Sequence, residues 1–284
     1  MKKLCLLALL CAPFILRAQD AVVFKIKYQP NRNYKMDVGA NMKMNVNVTG
    51  DPQILQKIKD EGLTQPITAL LGLGADVNMK TGAVGSDNMM PLTMDLKIDS
   101  LNVSANGKQA PIPPTISEKT VHIVGRASTD NTTMMIDSVN GKKASDSTQN
   151  QMKQMMSMMQ RQIQFPATPM KPGDTFTQTI PLNVPVKGTG GNMQINASVT
   201  YKLIKISDGK AYFDMTPKFS MSFNVQKIAV SMDGTGTGKM IYSIKDNFPV
   251  SKSGAFNMTI KVTSAKVNVD GTAVVSSSSA TVIN

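Results

Sequence analysis

The sequence predicts a mainly β protein: an antiparallel curved sheet, as a barrel, a half-barrel or two β lobes, with one to three short helices. Three observations carry that prediction. Long stretches alternate apolar and polar residues, as in Met42, Met44, Val46 and Val48 against Lys43, Asn45, Asn47 and Thr49, and a period of two marks a strand with one buried face. Turn pairs such as Asp208-Gly209 separate these stretches at hairpin spacing. A long helical pattern occurs once, where Met152, Met155, Met156, Met159 and Ile163 recur against Gln151, Lys153, Gln154 and Arg161.

The opening MKKLCLLALLCAPFILRA reads as a secretory signal peptide, with Lys2 and Lys3, an apolar run from Leu4 to Leu16 and a small-residue exit at Ala18. Cleavage after Ala18 leaves 266 of the 284 residues, in the periplasm or outside the cell. Both cysteines, Cys5 and Cys11, depart with the signal. Disulfides, thiol nucleophiles and thiolate metal sites are thereby excluded from the mature chain. Loss of Lys2, Lys3 and Arg17 takes the 31 basic residues to 28, against 19 acidic, a formal charge of +9. In an exported protein that balance suggests an anionic envelope surface before nucleic acid. Lys25, Lys27, Lys35, Lys43, Lys202 and Lys205 are scattered without a block of like charge, however, and read more strongly as the solvated faces of strands.

Val22–Tyr28 reads as a first strand and Tyr34–Val48 as a second. Asp51-Pro52 has the form of an N-cap with proline at the first helical position, opening a helix with Ile54, Leu55 and Ile58 inward. A second short apolar piece, Thr64–Leu71, is closed by Gly72 and Gly74, so that 51–73 forms a helical insertion. Strands follow at Ala75–Lys80, Pro91–Val103, Thr120–Arg126 and Thr132–Val139. After the methionine helix, Pro172-Gly173-Asp174 turns the chain into another strand. Then come Met193–Leu203, Ala211–Met215, Phe219–Val225, Met240–Ile244 and Phe256–Val262, an antiparallel meander. Gly234–Lys239 (GTGTGK) reads as a glycine-rich hairpin or bulge, and Ser276–Ser279 as a short low-complexity patch. The domain reading is a β lobe over 19–146, a junction over 147–176 and a meander over 177–284, or one continuous domain over 19–284.

The chemistry for catalysis is thin. His122 is the one histidine, Glu61 and Glu118 are the only glutamates, and no Gly-x-Ser-x-Gly elbow occurs. A non-enzymatic protein without a cofactor is expected. The 22 methionines are the anomaly, beside no tryptophan. Methionine is a soft, adaptable filler suited to variable apolar ligands. The leading expectation is therefore a carrier of a lipid or other apolar small molecule. Its interior or pocket is expected to draw on Met42, Met44, Leu96, Met152, Met155, Met156, Met159, Ile195, Val199, Tyr201, Phe213, Phe223 and Met258. One alternative is a structural or interaction protein of the envelope. Another is Cu(I) bound by thioethers, from Met42-x-Met44, Met89-Met90-x-x-x-Met94 and the methionine helix.

The junction Phe165-Pro166-Ala167-Thr168-Pro169-Met170-Lys171-Pro172-Gly173-Asp174-Thr175-Phe176 resembles that of a family of uncharacterised secreted proteins from Bacteroidota, defined as a domain of unknown function. Phe176 stands where that family usually has tryptophan. The resemblance implies export and β architecture and carries no activity.

Overall fold

The structure is a computed structural model and describes residues 21–110, 120–129, 133–145, 163–185, 192–225 and 228–284. Among them thirteen strands form one antiparallel sheet. The first half supplies β1 (Asn33–Gly50), β2 (Ile67–Thr81), β3 (Met89–Ala105), β4 (Lys108–Gln109), β5 (Val121–Ser128), β6 (Met134–Val139) and β7 (Lys142–Lys143). The second half supplies β8 (Thr175–Pro185), β9 (Asn192–Ser207), β10 (Lys210–Val225), β11 (Ile228–Ser243), β12 (Phe248–Thr263) and β13 (Val267–Ile283). One helix, α1 (Pro52–Asp60), is present among the described residues.

The spatial order is β7-β6-β5-β3-β2-β1-β13-β12-β11-β10-β9-β8, with β4 beside β3. The sheet is open, with β7 and β8 at its two edges. Each half therefore meanders outward from, or inward to, a central seam where β1 pairs β13 from Tyr34↔Ile283 to Gly50↔Val267. Asn106-Gly107, Asn140-Gly141 and Asp208-Gly209 all take positive φ in tight hairpin turns, the backbone form that suits the right-handed twist of paired strands. The side chain of Asp51 accepts from the N–H of Gln53 at 2.8 Å, capping α1 ahead of Pro52.

Three sequence readings need correction, and the serine patch, read only as low complexity, is found in a strand. Ile67–Leu71 is not a helical piece but the start of β2, and Gly72 and Gly74 lie inside that strand. The glycine run is neither hairpin nor bulge; it lies in mid-β11. The serine patch belongs to β13, a central strand. Val22–Tyr28 is extended but belongs to no strand of the sheet: its bridge Val22↔Met170 lies outside the strands, and the Lys27 N–H donates to the carbonyl of Asn247 in the turn before β12. The methionine helix and its residues Met152, Met155, Met156 and Met159 lie outside the described residues.

Alternation gives the sheet an apolar and a polar face. Where β2 meets β3 the register shifts between Gly74 and Ala75, and the apolar positions of β3 change phase there, from Leu96 and Ile98 to Leu101 and Val103. A bulge thus keeps one face apolar along the whole strand. The core occupies one end of that face, where β1, β3, β10 and β12 begin and β2, β9, β11 and β13 finish. Tyr34, Val77, Met79, Leu92, Met94 and Ile123 form one buried cluster. Phe24, Met170, Tyr201, Leu203, Phe213, Met240 and Tyr242 form another.

The segment from Ala21 to Pro30 straps these clusters together. Phe24 is buried in the second, Ile26 packs on both, and Tyr28 packs on the first. Tyr242 fixes the strap: its hydroxyl donates to the carbonyl of Lys25 and accepts from the Lys25 N–H at 3.3 Å. The Gln29 N–H donates to the hydroxyl of Tyr34 at 2.7 Å. The junction read from sequence completes this end. Phe165 sits 5.3 Å from the rings of both Phe24 and Phe176, and Phe176 stacks on Tyr201 at 4.8 Å. Asp174 accepts from the Lys171 N–H at 2.8 Å, next to Gly173 with φ +99°. The motif is an aromatic clamp and a turn.

Candidate functional site

Beyond the core the strands run on, about 3.3 Å per residue, with the same apolar face. Met42, Met44, Val46 and Val48 on β1, and Ile195, Phe223, Met258 and Ile260 across the sheet, are only half-buried there. Leu71 and Leu73 are 39% and 37% exposed. Register links Phe219, Gly234, Met258, Ala273, Met44 and Ala69 into one cross-strand row, large beside small. The sequence-derived residues therefore divide. Tyr201 and Phe213 are core, at 3% and 1% exposure, and Leu96 and Val199 pack against it. Met42, Met44, Ile195, Phe223 and Met258 lie on the half-open part. Of the proposed copper ligands, Met90 and Met94 are buried hydrophobics, at 0% and 3% exposure.

Where core gives way to open face lies a cavity of about 230 Å³, lined by Val199, Met215, Pro217, Phe256 and Val275. Gly238 makes room for it: a Cβ there would lie 2.7 Å from the Met215 methyl carbon. Lys252 also lines this cavity. Its register partners are Met240, buried in the core, and Ser279, so its side chain is on the apolar face. Following the registers of the long strands, β1, β2, β3 and β8 through β13, Lys252 is the one charged residue in the rows of that face. Lys252 is exposed to solvent, and the neighbouring atoms around it lower its pKa below the ordinary lysine value by partial desolvation. Opposite it on β13, Ser277, Ser279 and Thr281 alternate onto the same face. The phenols of Tyr201 and Tyr242 nearby in the core are pushed up by burial to about 12, and stay neutral.

The polar face holds larger depressions. One of about 880 Å³ crosses β8 to β13 between Thr179 and Val274, and another of about 540 Å³ continues from Val274 to Ser104 on β3. Together they make a valley running across nine strands. Its walls mix short hydroxyl and amide side chains and Lys43, Lys218 and Asp233 with apolar surface, Leu70 and Val274 being 46% and 49% exposed there. The smaller cavity differs in setting a charged side chain, Lys252, among the rows of the apolar face. The better site is the smaller one.

Also on the polar face, Asp37 and Asp76 are register partners and Asp99 lies beside them. A hydrogen bond and repulsion from Asp99 raise the pKa of Asp76 above the ordinary carboxylate value. Folding thus favours the protonated carboxyl, a stabilising preference that is lost as pH rises through the raised value. Asp76→Asn is accordingly expected to raise Tm at pH 7 and to leave it unchanged near pH 3, as scanning calorimetry at the two pH values will read. His122 approaches Asp95 at 2.6 Å through Nδ1, both about half exposed.

Sequence reasoning missed Lys252, Ser277 and Ser279. Lys252 shares the parity of Phe256, Met258, Ile260 and Val262, so a lysine on the apolar side of an alternating strand was the available signal. No protein-family model and no curated protein matches the chain, which leaves the family resemblance resting on the Phe165–Phe176 junction.

Proposed function

We propose that this is an exported, non-enzymatic protein that binds a lipid or other ligand with an apolar tail on the open half of its apolar face. The observation that carries the reading is the continuation of the apolar rows well past the core, with Leu71, Leu73, Met42, Met44 and Met258 left half-buried or exposed. Apolar side chains left partly open to solvent in adjoining rows suit a binding surface, and methionine-rich rows suit chains of variable shape. Native mass spectrometry of protein purified from its host's envelope is expected to show a bound lipid. A bare polypeptide mass, together with failure to bind the neutral dye Nile red, would overturn the reading.

The valley on the polar face supports a second reading, an envelope interaction module. A bare mass combined with retention on envelope fragments would favour it.

A further inference from the structure

Resting on the ligand site proposed above, we infer that the ligand is a single-chain amphiphile of fatty-acid type whose carboxylate is held by Lys252. The lysine is the lone charge in the rows of the apolar face, and no hydrogen bond or ion pair joins its ammonium to any described residue. Exposed to solvent and without a partner among the described residues, the ammonium is free to meet a ligand carboxylate in a charge-assisted hydrogen bond.

The surroundings are made for a headgroup. Ser279 stands directly opposite Lys252, and Ser277 lines the same cavity. Two hydroxyls and an ammonium make a polar spot at the foot of otherwise apolar rows. One cation balances one negative charge, and these rows offer no second cation to a polyanionic headgroup. The volume argues in the same direction. At about 230 Å³ the cavity falls below the roughly 300 Å³ at which drug-sized sites begin. It admits a small headgroup and the first methylenes, and the remaining chain runs along the rows of Met42, Met44 and Met258.

The test is displacement of Nile red by dodecanoate and by dodecan-1-ol, which share a chain and differ in charge. The protein is expected to bind dodecanoate about tenfold more tightly than the alcohol, the scale of one charge-assisted bond. Lys252→Met is expected to abolish that preference, and Lys252→Arg to restore it. Should Lys252→Met lose dye binding altogether, the Ser277→Ala/Ser279→Ala double variant carries the test, with the preference reduced about threefold by loss of the hydroxyl partners. Equal affinity for the two compounds in the unaltered protein overturns the headgroup inference and leaves the apolar site standing, as does a preference that survives Lys252→Met. Displacement by neither compound overturns both.

Discussion

Replacing Phe24 by alanine is expected to lower the unfolding free energy by about 3–5 kcal/mol, the usual range for removing a buried aromatic ring. Phe24 is 2% exposed and meets three rings, Phe165 at 5.3 Å, Phe213 at 5.2 Å and Tyr242 at 5.2 Å. It lies on the strap and not in a strand, so no ladder holds its backbone while the side chain is lost. The strap should then detach, with new cleavage between Ala21 and Pro30 under limited proteolysis. Tyr242→Phe keeps the ring and removes only the bonds to Lys25, and is expected to cost about 1 kcal/mol. Urea unfolding distinguishes the two. A loss below about 1 kcal/mol for Phe24→Ala would mean that the strap is an ornament on a sheet stable without it.

Gly234→Val is expected to destabilise by about 1–3 kcal/mol through overpacking. A Cβ at Gly234 would lie 2.6 Å from the carbonyl oxygen of Asn257, 2.7 Å from Cε1 of Phe256 and 2.8 Å from Cγ of Met258. The carbonyl belongs to the neighbouring strand, so no rotamer change clears it and β11 must shift against β12. Thr235→Val, one residue along and on the polar face, is the control and should stay within about 0.5 kcal/mol. A valine tolerated at 234 would show that the glycine alternation on β11 is not a packing device.

Much of this architecture was legible. The alternations of Met42–Val48 and Met193–Leu203, the hairpin at Asp208-Gly209 and the cap at Asp51-Pro52 all depend on local chemistry that a linear reading captures. Ile67–Leu71 was not legible, because a short apolar run fits a buried strand and a helix equally well until its neighbours are known. The glycines of β11 misled because they carry no side chain to alternate; their pattern exists only as the space filled by Phe256, Met258 and Met215. The serines of β13 gave no strand signal, since identical residues conceal which face each one takes. Lys252 was hidden by its place ahead of the clear alternation that begins at Phe256. There a lysine reads as a strand end until β11 and β13 show it flanked by Met240 and Ser279.

The pairing of β1 with β13 ties folding to the completeness of the polypeptide. Gly50 must wait for Val267, so contact order is high at the middle of the molecule, and maturation is expected to be slow. A product cut short before Val267 would keep β1 as a long, bare template for other chains, and its hazard would be aggregation more than lost activity.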